Sequence, residues 1–309
     1  MYLEHFGLRE MPFSLTPDTQ FFYNYGAWQE ACEVLTVALR GGEGFIKISG
    51  EVGTGKTLLC RKLLASLEED EFITAWLPNP CLTPAALRMA LADELGIRYP
   101  RNQGQHRLLG RINEGLIELN AAGRRVVVLI DEAQALPDDT LEALRLLTNL
   151  ETEKRKLLQV VLFGQPELDV RLAEPGLRQL RQRIGFAHRL QAIDRDGLPG
   201  YVNHRLLVAG HQGPPLFEAA ALDALYRASQ GVPRLINILA HKALMAAYGR
   251  GLATVDRACV ALACVDTEDA RALPRGLLGR LRARRGMAWA AGLGALGLVA
   301  LLAGSGVLA

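Results

Sequence analysis

The stretch Gly50-Glu51-Val52-Gly53-Thr54-Gly55-Lys56-Thr57 stands between the short apolar run Phe45–Ser49 and a helical pattern over Thr57–Glu68, and with Leu58 it makes up the expected nucleotide-binding residues. It fits the spacing GxxxxGK[ST], a phosphate-binding loop between a strand and a helix. Glycines at these positions let consecutive backbone N–H groups turn inward with no Cβ in the way. The helix that follows adds the positive end of its dipole. Lys56 then supplies a point charge for the β- and γ-phosphates of ATP, and the Thr57 hydroxyl supplies a ligand for Mg2+.

The partner of this loop lies downstream. Val126-Val127-Val128-Leu129-Ile130 is an unbroken apolar run followed by Asp131-Glu132. Such a run suits a strand buried on both faces. An acidic pair at its C-terminal end places Asp131 to serve the metal and Glu132 to orient or deprotonate the attacking water. Phosphate loop and acidic pair together predict hydrolysis of ATP as well as binding. Lys47, Cys60 and Gln134 lie near these motifs, and each is read as packing or local hydrogen bonding with no role in the site.

Working outward, strand signals recur at Phe72–Leu77, Leu157–Phe163 and Ile184–Leu190. Helical patterns recur at Trp28–Arg40, Pro84–Leu95, Gln105–Ala121 and Thr140–Leu150. The alternation predicts an α/β fold with a parallel sheet flanked by helices over residues 41–191. After residue 192 the strand signals stop. Asp194–Val208, Glu218–Ser229, Pro233–Tyr248 and Thr254–Cys264 read as a small all-helical lid domain over 192–266. Residues 1–40 are expected to pack on the ATPase core. The aromatics Phe13 through Tyr25 have two fates open to them, stacking on the adenine or packing in the core.

Two arginine motifs bear on the phosphates. In Gly231-Val232-Pro233-Arg234 the arginine begins a helix, where its charge opposes the dipole unless an anion faces it. It is expected to fold over the γ-phosphate. In Leu177-Arg178-Gln179-Leu180-Arg181-Gln182-Arg183, Arg178 or Arg181 is favoured to reach a neighbouring subunit's site in a homo-oligomer, and a solvated helix face is the plain alternative.

The chain has 309 residues, 35 Lys+Arg against 33 Asp+Glu, a net charge of +2 and 50% hydrophobic residues. That balance excludes a disordered or low-complexity chain. The charge is uneven. Arg271, Arg275, Arg280, Arg282, Arg284 and Arg285 follow Asp269 with no further acid, leaving the first 270 residues with 29 basic and 33 acidic side chains. Residues 267–287 thus form a basic linker, and the uncharged segment 288–309, with Trp289 at its start, is long enough to be a transmembrane helix. The arginines are expected to meet anionic lipid and to keep the body on the cytoplasmic side of a bacterial inner membrane. With no secretion signal at Met1–Phe6, the body is expected in the cytoplasm. No nucleic-acid partner is expected, because no recognition helix or aromatic-interleaved basic groove is evident. Five cysteines at scattered spacings, with no Cys-x-x-Cys, exclude a disulfide framework and a zinc site and read as reduced core thiols.

This arrangement resembles the AAA+ ATPases. In that resemblance Gln165, in Gly164-Gln165-Pro166-Glu167-Leu168, stands where a polar residue senses the γ-phosphate, although Asn, Thr or Ser is usual there. Arg234 stands where a second sensor lies. Within the class, Tyr2-Leu3-Glu4-His5-Phe6-Gly7-Leu8-Arg9-Glu10-Met11-Pro12-Phe13, Asp131-Glu132-Ala133-Gln134-Ala135-Leu136 and Gly164–Leu168 are similar to the general secretion pathway protein A family. Gly44-Phe45-Ile46-Lys47-Ile48 and Leu144-Arg145-Leu146-Leu147-Thr148-Asn149-Leu150-Glu151 fit its members associated with the mannose-sensitive haemagglutinin (MSHA) type IV pilus. The resemblance covers roughly residues 1–265. It implies an ATPase, partnered by inner-membrane proteins, that serves assembly of an envelope-spanning pilus or type II secretion apparatus. A DNA-associated ATPase of the transposition or replication type is the alternative. Peptidoglycan binding, found in secretion members beyond their membrane span, is not expected of this chain.

Overall fold

Five strands carry the fold: β1 (Phe45–Gly50), β2 (Phe72–Leu77), β3 (Arg125–Ile130), β4 (Leu158–Gly164) and β5 (Ile184–Leu190). They pair in the order β2-β3-β4-β1-β5, all parallel. The chain passes from β1 to β2 at the far edge, and β3 and β4 then fill the gap back to β1. The C-terminal ends of β3, β4 and β1 therefore lie side by side, where ligands sit in open parallel sheets. The structure is a computed structural model that describes residues 2–67, 70–78, 81–100, 104–151 and 156–273.

Side chains alternate between the two faces of the sheet. Val126, Val128, Ile130, Val160 and Leu162 bury one face against Leu87 and Leu91 of α4 (Pro84–Glu94), Leu108 and Ile112 of α5 (Gln105–Ala121) and Leu141 and Leu144 of α6 (Asp138–Leu147). The other face packs on α2 (Ala27–Gly41) and α3 (Lys56–Ser66). Val126–Ile130 are at most 1% exposed, so β3 is buried on both sides as its composition predicts. Each helix start has a local cause. Pro84 opens α4 behind a Thr83 cap whose hydroxyl accepts from the Ala86 N–H at 3.3 Å. The α2 helix stops at Gly42, whose φ of 82° few side chains tolerate.

Helices of two turns or fewer escape the sequence pattern: α1 (Tyr2–His5), α7 (Pro166–Leu172) and α8 (Arg178–Arg181). Beyond β5 come α9 (Gly197–Val208), α10 (Ala219–Ser229), α11 (Pro233–Gly249) and α12 (Arg257–Val265), the last capped by Asp256, which accepts from the Cys259 N–H at 2.8 Å. The helices α10, α11 and α12 pack on one another. They share one compact unit, Met1–Ala270, with the sheet.

Of residues 1–40, α2 packs on the sheet, and the segment ahead of it packs on α9 and α11 and also on α3. The Arg9 N–H donates to the Ala209 carbonyl at 2.8 Å, Tyr2 Oη lies 3.1 Å from His241 Nδ1, and Arg205 Nε donates to the Pro12 carbonyl at 2.5 Å. Phe13, Phe21 and Phe22 are buried. Core packing is thus the fate of those aromatics, while Tyr23 and Tyr25 stack on each other. Cys60 and Cys259 are buried, but Cys81 is exposed, so the thiols are not all core residues.

Among the described residues no helix is long and apolar enough to cross a membrane. The expected span at 288–309, and most of the basic linker before it, lie outside the described residues.

Candidate functional site

The loop after β1 takes the shape its glycines allow. Gly53 and Gly55 have φ of 80° and 94°, the left-handed region, and a Cβ on Gly50 would stand 2.8 Å from Thr54 Oγ1. The Thr54 hydroxyl donates to the Glu51 carbonyl at 2.8 Å, tightening the turn. Trp28 of α2 braces it from outside: its indole Nε1 donates to the Thr54 carbonyl at 3.1 Å and lies 3.1 Å from where a Gly55 Cβ would be.

Lys56 is 5% exposed, and its Nζ donates to the carbonyls of Gly50 (2.8 Å) and Glu51 (3.0 Å). Burial pulls its pKa down, opposed by the charges of Glu132, Asp131, Glu51 and Glu167. A buried ammonium held by neutral carbonyls gains most from an anion brought beside it. Thr57 Oγ1 donates to Asp131 Oδ2 at 2.6 Å, joining the start of α3 to the end of β3. This hydroxyl and carboxylate are hard oxygen donors that fit Mg2+, which completes its shell from phosphate and water. Among the described residues no group of three or more His, Cys, Asp or Glu is arranged to hold a metal.

Glu132 has φ of 52°, uncommon outside glycine, which turns its side chain off the strand axis toward the loop. Its Oε2 accepts from Gln134 Nε2 at 2.5 Å and from Gln165 Nε2 at 3.0 Å. Burial alone would raise its pKa, but these two amide donors and the Lys56 charge outweigh that and hold it below the ordinary value. Gln165 follows β4 and so projects between the loop and Glu132.

A cavity of about 290 Å³ opens over these groups. Val52, Gly53, Gly55, Lys56, Thr57, Leu58, Glu132, Gln165 and Arg234 are among the residues that line it. Gly50, Thr54 and Asp131 are buried and are not among its lining residues. Glu51 turns outward, 65% exposed, and meets Arg189 at 3.5 Å on the surface. Arg234 reaches the loop through its backbone, whose N–H donates to the Gly53 carbonyl at 3.2 Å. Arg178 and Arg181 are exposed on α8, away from this chain's own cavity, while Leu177 and Leu180 beside them are buried.

The cavity's remaining wall is absent from the motif reading. Ser14, Leu15, Thr16, Pro17 and Asp18 form a strap across it, and Tyr201, Arg205 and Asn237 face it from the lid. Arg205 is 4% exposed and ties the strap down through the Pro12 carbonyl and the Ser14 carbonyl (3.3 Å), with its guanidinium 4.7 Å from the Phe21 ring centre. Tyr201 Oη donates to Asn237 Oδ1 at 2.9 Å beside it. The alternation Tyr201/Arg205 on a helix with Pro12–Phe13 upstream carries no local signal that they meet.

Comparison with known proteins agrees with this geometry. Residues 39–172 match a family model described as an AAA domain. Over 271 residues, 88% of the chain, the sequence is 44% identical to general secretion pathway protein A of Aeromonas hydrophila. The chain spans about half of that relative, 49% of its length. Among solved structures, the Aeropyrum pernix ORC2 protein (ADPNP-ADP complexes) is 18% identical with a TM-score of 0.59, covering 82% of this chain and 72% of that one. The Aeropyrum pernix ORC1 protein in complex with DNA is 20% identical with a TM-score of 0.60, covering 84% and 69%. The Thermotoga maritima RuvB Holliday junction branch migration motor is 16% identical with a TM-score of 0.51, covering 77% and 67%. At such identities these likenesses concern the fold alone. The chain thus carries an AAA domain at residues 39–172 and is similar over most of its length to general secretion pathway protein A.

Proposed function

We propose that this protein is an Mg2+-dependent ATPase that works as a homo-oligomer on the inner membrane, assisting assembly of an MSHA-like type IV pilus or a type II secretion apparatus. The observation that carries the enzymatic part is the grouping of Lys56 and Thr57, at the start of α3 after β1, with Asp131 and Glu132, which follow β3 on the other side of β4. Lys56 and the loop N–H groups hold the phosphates, and Mg2+ bound at Thr57 and Asp131 supplies charge neutralisation. Glu132 orients a water and takes its proton as the water oxygen bonds to the γ-phosphorus and the bond to the ADP oxygen breaks. Gln165 and Arg234 contact the γ-phosphate, and Arg178 or Arg181 of a neighbouring subunit stabilises the developing charge.

The assembly role rests on the 44% identity to general secretion pathway protein A. Membrane attachment rests on the uncharged segment 288–309 and the six arginines ahead of it, while the body carries more acid than base. That division favours anionic lipid over nucleic acid as their partner.

The test is ATP turnover by the full chain with Mg2+ and with chelator, at protein concentrations high enough for subunits to meet. Lys56→Ala is expected to abolish turnover, and Glu132→Gln to slow it while nucleotide stays bound. Undiminished turnover by Lys56→Ala would sink the site assignment. Membrane fractionation with and without residues 275–309 tests the anchor, and a full-length protein that stays in the supernatant defeats it.

A further inference from the structure

The hydrogen bonds around Glu132 close into a ring. Gln134 Nε2 donates to Glu132 Oε2, Gln165 Nε2 donates to the same oxygen, and the Gln165 backbone N–H donates to Gln134 Oε1 at 3.0 Å. A backbone N–H only donates, so it requires the oxygen of the Gln134 amide on its side and leaves the nitrogen facing the carboxylate. The orientation of the amide therefore follows from chemistry. Gln134 itself is held from behind: Arg171 Nη1 of α7 donates to its carbonyl at 2.6 Å, and the same guanidinium pairs with Asp138 at the start of α6.

The ring spans two strand ends. Glu132 and Gln134 follow β3, and Gln165 follows β4, its hydrogen-bonded neighbour. A glutamate side chain has three rotatable bonds, and holding one carboxylate oxygen at two points removes most of that freedom. Oε1 carries none of these hydrogen bonds and is left as the oxygen to take a proton from water. Correct pose of a general base is worth large rate factors, since its efficiency depends on hydrogen-bond reach to the proton it abstracts.

Resting on the hydrolytic reading above, we propose that Gln134 is a positioning residue for ATP hydrolysis: its amide latches the Glu132 carboxylate to the end of β4 and gives the base a single pose. It touches neither phosphate nor water and acts only through Glu132 and Gln165.

The test uses the full chain. Gln134→Leu removes the amide at similar volume, and Gln134→Glu keeps an acceptor for the Gln165 N–H while replacing the donor with a like charge. Steady-state turnover of ATP, affinity for a fluorescent ATP analogue and thermal melting are measured on each. For Gln134→Leu, kcat is expected to fall by about tenfold or more, with nucleotide affinity and melting temperature unchanged. A larger fall in kcat is expected for Gln134→Glu, which sets a like charge against Glu132. Turnover near that of the natural protein would overturn the proposal. So would faster turnover, which would make the latch a brake, or a loss of affinity and melting temperature in step with kcat, which would make it a structural brace. If the natural chain binds ATP but turns none over, the hydrolytic reading fails first and this inference falls with it. Turnover by the natural chain that Glu132→Gln slows, with Gln134→Leu unaffected, removes this inference alone.

Discussion

The backbone N–H of Arg234 donates to the carbonyl of Gly53 at 3.2 Å, so the first turn of α11 rests directly on the phosphate loop. Gly53 makes this approach possible, because a Cβ there would lie 2.7 Å from the Cβ of Arg234 and its φ of 80° suits no ordinary side chain. The first turn of α11 and the phosphate loop are therefore joined directly, backbone to backbone.

Gly53→Ala is expected to separate them. Backbone strain of this kind costs about 1–3 kcal/mol, and the clash with α11 adds to it. Calorimetry of nucleotide binding should show a loss of affinity larger than the fall in melting temperature alone predicts.

The two titrating groups bound the working pH from opposite sides. Glu132 acts as a base only when ionised, and its pKa lies below the ordinary 4.5, so hydrolysis should persist into acid where an unassisted glutamate would already be protonated. Lys56 binds phosphate only when charged, and burial sets its pKa below 10.5, so nucleotide affinity should fall on the alkaline side sooner than for an exposed lysine. A pH series of kcat and of nucleotide Kd separates the two limbs.

Arg205 joins the strap to the lid through the Pro12 and Ser14 carbonyls. Arg205→Leu leaves those buried acceptors without a donor and removes the cation over Phe21. A loss of about 2–3 kcal/mol is expected, read from chemical denaturation. Limited proteolysis should then cut within residues 2–25 first, and ATP affinity should drop because Ser14–Asp18 line its cavity.

Arg178 and Arg181 lie on an exposed helix face. Substituting either by Ala should leave folding and nucleotide binding unchanged, within about 0.5 kcal/mol in stability. Turnover at high protein concentration should fall by about 10³-fold for the one that reaches the neighbouring site. Mixing that variant with Lys56→Ala protein should restore turnover, since each supplies what the other lacks. No recovery in any mixture would place both arginines outside the reaction.

The strands and the long helices were legible because their causes are local. Val126–Ile130 reads as a buried strand from five residues alone, and Gly50–Thr57 reads as a phosphate loop from its spacing. Boundaries drifted where a turn residue competed: α6 begins at Asp138, two residues before the apolar pattern, and α9 begins at Gly197, three after the expected start. The α7 and α8 helices, of seven and four residues, are too short for a period of 3.6 to register.

The site divides along the same line. By itself the sequence determined the fold class, the phosphate loop and the acidic pair, because those need only neighbours within a few residues. Only the tertiary structure decided that Trp28 braces the loop, that Arg205 holds the strap over the cavity, and that Gln134 reaches Glu132 and Gln165 together. Gln134 read as a local hydrogen-bonding residue, and its bond to Glu132 is indeed local. Its bond to Gln165 spans 31 positions and exists because β3 and β4 are neighbours in the sheet. A parallel sheet brings distant strand ends within hydrogen-bond reach, and no pattern in the linear chain records which side chains will meet there.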